Sequence, residues 1–363
     1  MKLRSYLTMA QLRQSRAHQN GSLFSTVANF RIVELNAVDA RRCTDNLRIL
    51  RGLLASSEDM YPSIGRWFDQ KVVSGLRSSQ RIAYIAYEGE NPIASAVLKL
   101  GERSKFCHLK IHRNFQDMDL GQMFFTQMTL EARNLAKEIH FTLPESLWHE
   151  RTGFFESFGF KSTKRAFHQY RAGEEELSCS APHSVVWANA LEQLPSLMMK
   201  FSIGGYSLDK RILISVRPKY ATAIIKGSKL VEIRKRFSNR WIGARAVLYA
   251  CRPVAALVGE ATIASVVRGR PTAIWAEFGE QISCSRREYD DYVATAPDVS
   301  AIELTDIYPY QDQVSISQVA HLIKQDLRPP QSFCDLQLDS DNPWGKAVSV
   351  ASLLHGRFAF TKL

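Results

Sequence analysis

The chain has 363 residues, 45% of them hydrophobic, which is enough for two or three packed domains, and no apolar run approaches the ~18 residues that a membrane-spanning helix needs. Its formal net charge of +11 is unevenly placed: from Asp209 to Arg252, twelve Lys or Arg stand against two acids, Asp209 and Glu232. A concentrated positive face suits phosphate backbones, because bound cations release counterions from nucleic acid.

Residues 1–29 carry Lys2, Arg4, Arg13 and Arg16 with no acid and are rich in Ser and Gln. A transit peptide has this composition, and so does a flexible extension, which is the expectation for this stretch, with Met9 as a later start. Phe30 to Leu35 reads as a first strand, and Asp39 to about Ser56 as a helix with Cys43, Leu47, Leu50 and Leu54 on one face. Tyr61-Pro62 opens a second helical stretch holding Ile64, Trp67, Phe68 and Val72. Arg81 to Tyr87 and Ile93 to Leu100 form a hairpin across Glu88-Gly89-Glu90-Asn91-Pro92.

Phe106 to Ile111 alternates apolar and polar residues as a strand does. The loop Gln116 to Gly121 then opens a helix whose Phe124, Phe125, Met128, Ala132, Leu135 and Ala136 recur at helical spacing. Free N–H groups and the positive dipole end at such a helix start suit a phosphate or pyrophosphate. A short strand, Ile139 to Leu143, a helix near His149 to Phe158 closed by Gly159, and a last strand near Arg165 to Tyr170 follow.

The stretch from Ser104 to Phe160, and the element order from about 30 to 172, resemble the GNAT acetyltransferase family, an α/β fold. Gln116 and Gly121 match the two ends of that family's pyrophosphate loop, and Phe154 to Phe160 matches its aromatic ending in Gly-Phe. Asp119 stands where the family has its first loop glycine, and Phe155 where many members carry a proton-donating tyrosine. The resemblance implies acetyl-CoA as acyl donor, held by Leu109, Lys110, Ile111, Gln116, Leu120, Gly121, Gln122 and Phe155. It implies His149 and Glu150 as the base or proton-relay residues to test, and Tyr61 and Trp67 as walls of an acceptor slot.

Residues 173–210, with Pro182, Pro195 and Gly204-Gly205 as breakers around a helix at Val185 to Leu194, read as a connector. Ile212 to Val216 begins a second unit, and Gly227, Lys229, Glu232 and Arg234 sit in register with the signature of the ASCH family, a PUA-like β-barrel associated with RNA. This resemblance covers about 211–336, with Arg328-Pro329-Pro330 to Phe333 in its closing segment. Val247 to Ala250, Leu257 to Val267, Ile302 to Ile307 and Phe333 to Leu336 supply strands, and Arg286 to Thr295 a helix. Glu232 occupies the position where small amidohydrolases of that family carry threonine.

On a strand, Glu232, Arg234 and Arg236 project together, and one acid among cations orders the guanidinium forks. Arg217, Lys219, Lys229, Arg234, Lys235 and Arg236 are the expected phosphate contacts, with Glu232 among them. Tyr220, Phe237 and Trp241 are candidates for stacking on unpaired bases. The tail 337–363 holds an apolar stretch, Ala347 to Leu354, suited to docking on a domain. Six cysteines, at 43, 107, 179, 251, 284 and 334, occur without a C-x-x-C pair. They argue against structural zinc or another metal and for free thiols in a reducing, cytoplasmic setting.

Two functions fit. One is an acetyl-CoA-dependent N-acetyltransferase brought by an ASCH-like domain to RNA or a nucleic-acid-associated acceptor. The other is a non-catalytic RNA-binding or regulatory protein with a degenerate acyl-CoA-binding core.

Overall fold

The computed structural model describes residues 30–58, 61–116, 118–161, 163–170, 173–201, 210–336, 342–355 and 361–362. The reading of 1–29 as an extension lies outside the described residues, as does the end of the tail near Phe358 to Phe360. Among the described residues the fold is mixed α/β with two sheets, one eight-stranded and one six-stranded.

The first unit begins with β1 (Phe30–Leu35), α1 (Ala37–Arg42) and α2 (Asp45–Ala55). The single helix expected over 39–56 is thus two, because Cys43 turns left-handed at φ 51° and Thr44 restarts the chain. A helical stretch follows as α3 (Ile64–Trp67), a π turn over Phe68–Val72, and α4 (Val73–Arg77). The hairpin β2 (Arg81–Glu88) and β3 (Asn91–Lys99) leads to β4 (Arg103–Ile111). Then come α5 (Leu120–Ala132), β5 (Glu138–Pro144), α6 (Glu145–Ser157), β6 (Thr163–Arg165), β7 (Glu176–Pro182) and α7 (His183–Phe201).

β7 lies in the stretch read as a connector, yet it pairs antiparallel with both β5 and β6 inside the sheet. Its alternating Leu177, Cys179 and Ala181 are buried, a period of two that the breakers on either side obscured. Helix α7 runs on through Pro195, because the buried Val186, Ala190, Leu194 and Leu197 anchor it to the sheet. The strand expected over 165–170 is only the three residues of β6.

Helices α1 to α4 pack one face of this sheet through Leu50, Leu54, Phe68 and Leu76 against Val33, Ile85 and Val97. Helices α5 and α7 cover the other face. The described order is β14-β1-β2-β3-β4-β5-β7-β6, where β14 (Thr361–Lys362) runs parallel to β1.

The second unit contains β8 (Arg211–Val216), α8 (Pro218–Ile225), β9 (Val231–Arg234), β10 (Arg245–Ala250) and β11 (Ala256–Gly269). It continues through α9 (Pro271–Ile282), α10 (Arg286–Val293), β12 (Val299–Ser315), α11 (Ile316–Ile323), β13 (Phe333–Asp335) and α12 (Pro343–His355). Its strand order is β13-β8-β10-β11-β12-β9, and most pairs are antiparallel, as expected of a mainly β unit. The apolar stretch expected to dock is α12, whose Ala347, Val348 and Ala351 join α7 and barrel residues Tyr249 and Tyr310 in one core. Trp187 on α7 donates its indole N–H to the Leu322 carbonyl at 2.9 Å, and Lys346 on α12 pairs with Glu192.

Candidate functional site

In the first unit, β4 and β5 pair in parallel only through Arg103, Ser104 and Lys105 against Glu138, Ile139 and His140. Beyond that point the two strands separate. His112 donates its backbone N–H to Ile93 on β3, so by strand alternation the Lys110 N–H also faces β3 while those of Leu109 and Ile111 face the gap. Of the three residues expected to offer backbone donors there, Lys110 is therefore the exception. Its ammonium is turned to the end of α2, donating to the Ser56 carbonyl at 2.6 Å and to the Ser57 hydroxyl at 3.0 Å.

The gap leads to the start of α5. Asp119 caps that helix in the left-handed region at φ 59°, a conformation Asp tolerates. Met123 N–H bonds the Asp119 carbonyl, which leaves the N–H groups of Leu120, Gly121 and Gln122 in the first turn without helical acceptors. The Asp119 carboxylate is ion-paired with Lys200 on α7, so its charge is neutralised at the helix start. Leu120 is buried, and its side chain belongs to the core. Gln116 bridges the loop: its amide donates to the Ile111 carbonyl at 3.3 Å, and its carbonyl accepts from Arg151 at 3.2 Å. Arg151 sits at a kink in α6, with φ −121° and ψ 21°, and this cation beside the loop escaped the sequence reading. Only the kink directs it there.

His149 and Glu150 lie on the exposed side of α6, in contacts with Glu145 and Arg151, and among the described residues neither is hydrogen-bonded to β4 or β5. Phe155, expected at the cofactor, is 7% exposed and stacks on Trp148 at 5.5 Å within the aromatic cluster of Phe125, Phe141 and Phe160. It lines the core because it falls on the inward side of α6. On the opposite face of β4, His108 shares a 3.1 Å hydrogen bond with the Ser95 hydroxyl. Burial, helped by Lys110, pushes its pKa down to about 3, so the imidazole is neutral at physiological pH. Beside it Arg81 donates to the Cys107 sulfur at 2.8 Å and lies over Trp67.

In the second unit the signature residues meet, but not as a surface grip. Lys229 is 2% exposed, and its ammonium donates to the carbonyls of Val231 and Ile282, each at 2.7 Å, and pairs with Glu232 at 3.3 Å. Burial lowers the Lys229 pKa, and Glu232 works against that shift. The same Glu232 carboxylate holds Arg234 at 3.1 Å. Arg234 reaches from edge strand β9 to the Ser215 carbonyl on β8 at 2.6 Å and to the Ser332 hydroxyl, bridging the open side between the sheet's two edges.

Trp241 and Phe237 are buried in the barrel core, 3% and 9% exposed, and do not offer free faces for stacking. Arg217, Lys219, Lys235 and Arg236 are exposed; Lys219 pairs with Glu288 and Lys235 donates to Thr295. Tyr220 lies between Lys219 and Lys229, with ammonium-to-ring distances of 4.7 and 5.1 Å. Strand β9 ends at Arg234, so Arg236 leaves the shared face.

A Lys229→Met change should therefore destabilise the barrel by about 3 kcal/mol, the scale for breaking a buried ion pair. Urea unfolding measures it; an unchanged midpoint with weakened RNA affinity would instead make Lys229 a ligand contact.

Residues 211–324 match the family model described as a domain of unknown function, DUF365. An ASCH domain-containing ribonuclease of Zymomonas mobilis is 32% identical over 143 residues, which are 39% of this chain and 93% of that protein. This chain belongs to the ASCH family. A crystal structure of ASCH from Zymomonas mobilis is similar at 30% identity, covering 39% of this chain and 96% of that one with a TM-score of 0.35. A putative GNAT-family acetyltransferase from Desulfovibrio desulfuricans is similar at 14% identity, covering 42% of this chain and 99% of that one with a TM-score of 0.33.

Lys229, Glu232 and Arg234 all lie within the matched residues 211–324. Among the described residues no group of three or more His, Cys, Asp or Glu is gathered to hold a metal ion, and no helix is long and apolar enough to cross a membrane.

Proposed function

We propose that this chain is an acetyl-CoA-dependent N-acetyltransferase whose ASCH barrel brings it to RNA or to a nucleic-acid-associated acceptor. The observation that carries the transferase half is the separation of β4 from β5 after Lys105, which turns the Leu109 and Ile111 N–H groups into the gap. Donors placed there can polarise a thioester carbonyl, and the first turn of α5 can take a pyrophosphate. Pairing of Asp119 with Lys200 removes the repulsion that a bare carboxylate would exert on that anion. Arg151, beside Gln116, adds a cation to the same loop.

The RNA half rests on kinship with the Zymomonas mobilis ribonuclease and on the exposed Arg217, Lys219, Lys235 and Arg236 around the buried Glu232 cluster. Exposed cations at a barrel rim suit a phosphate backbone.

Phe155 favours a second reading. Its ring has no hydroxyl to protonate a leaving thiolate and is packed in the core, as fits a regulatory protein that binds acyl-CoA without turning it over. Acetyl-CoA consumption by the purified chain, stimulated by an RNA pool, is the expected result. Acetyl-CoA binding by calorimetry with no turnover under any RNA pool would select the second reading.

A further inference from the structure

We propose that the segment Ala166 to Tyr170, which follows β6, is a stacking arm that receives unpaired bases of single-stranded RNA. This rests on the reading that the chain engages RNA, and adds a contact on the first unit, outside the ASCH barrel.

The arm is Ala166 to Tyr170. Its backbone is pinned: Ala166 N–H donates to the Glu176 carbonyl at 2.7 Å, the Gln169 amide donates to the Ala166 carbonyl at 2.7 Å, and Glu176 N–H donates to the Gln169 side-chain oxygen at 2.7 Å. On this fixed base Phe167 stands 94% exposed, edge-on to His168 at 4.9 Å. Tyr170, 44% exposed, rests edge-on against Tyr61 at 5.9 Å.

A large apolar ring held in water by a braced loop gains nothing from burial within this chain, and a loop stabilised by its polar contacts does not need that ring. Lys161, Lys164 and Arg165 precede it; Arg165 is paired with Glu175, while both lysines are exposed. Exposed rings following exposed cations along the chain suit the bases and phosphates of a single strand. A protein or lipid contact calls for a continuous apolar patch, and here His168 and Gln169 interrupt it.

The arm also continues inward. Tyr61 and Trp67 both pack against the core cluster over this face of the sheet; Arg81 lies over Trp67 and reaches Cys107 on β4, just past the point where β4 leaves β5. The Tyr170 end of the arm is thereby linked through side-chain contacts to β4 where it leaves β5.

The test uses the full chain and a short single-stranded RNA carrying 2-aminopurine, with a duplex of the same sequence as control. The double change Phe167→Ala with Tyr170→Ala should weaken single-strand binding roughly tenfold or more and remove the fluorescence quenching. Duplex affinity and thermal midpoint should stay as in the wild type, and Phe167→Trp should bind as the wild type does. Wild-type single-strand affinity in the double variant would overturn the arm alone. So would a change of oligomeric state without a change in RNA affinity, which would mark Phe167 as a protein contact. Failure of the wild-type chain to bind any RNA would remove the RNA reading and the arm with it.

Discussion

Replacing Gly121 by glutamate is expected to abolish acetyl-CoA binding while RNA affinity through the ASCH barrel persists. A Cβ at Gly121 would stand 3.3 Å from the Phe154 ring and 3.7 Å from Ile111, so the position admits a side chain only if the Phe154 ring gives way slightly. The added carboxylate would then sit in the first turn of α5, where the proposed cofactor places its pyrophosphate. Two anions at about 4 Å repel by on the order of 1 kcal/mol in water and by more where solvent is excluded. Steric and electrostatic effects together should weaken binding at least roughly hundredfold, about 2.8 kcal/mol. Calorimetric titration of acetyl-CoA reads this directly, with the thermal midpoint as control for folding. Undiminished heat in a folded variant would remove the α5 start as the cofactor site.

The second large effect is expected at Glu260, which is buried in the second unit. Its carboxylate accepts from Arg245 at 3.0 Å, Tyr310 at 2.9 Å and Ser352 at 2.8 Å, and thus ties β10, β12 and α12 together. Arg245 also donates to Asp306 at 2.9 Å, and Arg211 donates to Ser352 at 3.3 Å. Glu260→Ala would leave Arg245 and Arg211 buried with too little negative charge, which should destabilise the chain by about 3–5 kcal/mol.

Burial alone would raise the Glu260 pKa, but Arg245 and then Arg211 outweigh it and hold the carboxyl below its usual value of 4.5. A carboxyl depressed in the folded state contributes stability that is present above its unfolded pKa and lost as pH falls through the folded one. Stability should therefore drop below about pH 4.5, and a Glu260→Gln variant should show a shallower acid limb. Equal acid sensitivity in that variant would assign the limb to other carboxylates.

Much of the local structure was legible in the residues. The period of two in β4, the helical spacing of Phe124, Phe125 and Met128, and the turn chemistry between β2 and β3 each depend on contacts within one or two elements. The Gly227, Lys229, Glu232 and Arg234 signature was likewise visible, and the three charged residues do come together. Their burial was not visible. Lys229 is enclosed because the Ile282 carbonyl at the end of α9 arrives to accept its hydrogen bond, a contact more than fifty positions away. Arg151 was missed because a single non-helical residue in α6 redirects its side chain toward Gln116. Glu260 did leave a trace, as a charge inside the apolar run Leu257 to Ile263, which is a sign of a buried partner.

By itself, then, the sequence determined most of the order of the elements, the aromatic-rich segment Phe154 to Phe160, and an ASCH signature set in a basic stretch. Those are properties of periodicity and short spacing, which adjacent residues encode. Tertiary structure alone decided that β7 enters the first sheet and that α7 and α12 share one core with the barrel. It also decided that Lys229 and Trp241 are buried while Phe167 stands in water. Which side chains meet water depends on elements distant in the chain closing over them, and burial in turn sets which charges are free to bind.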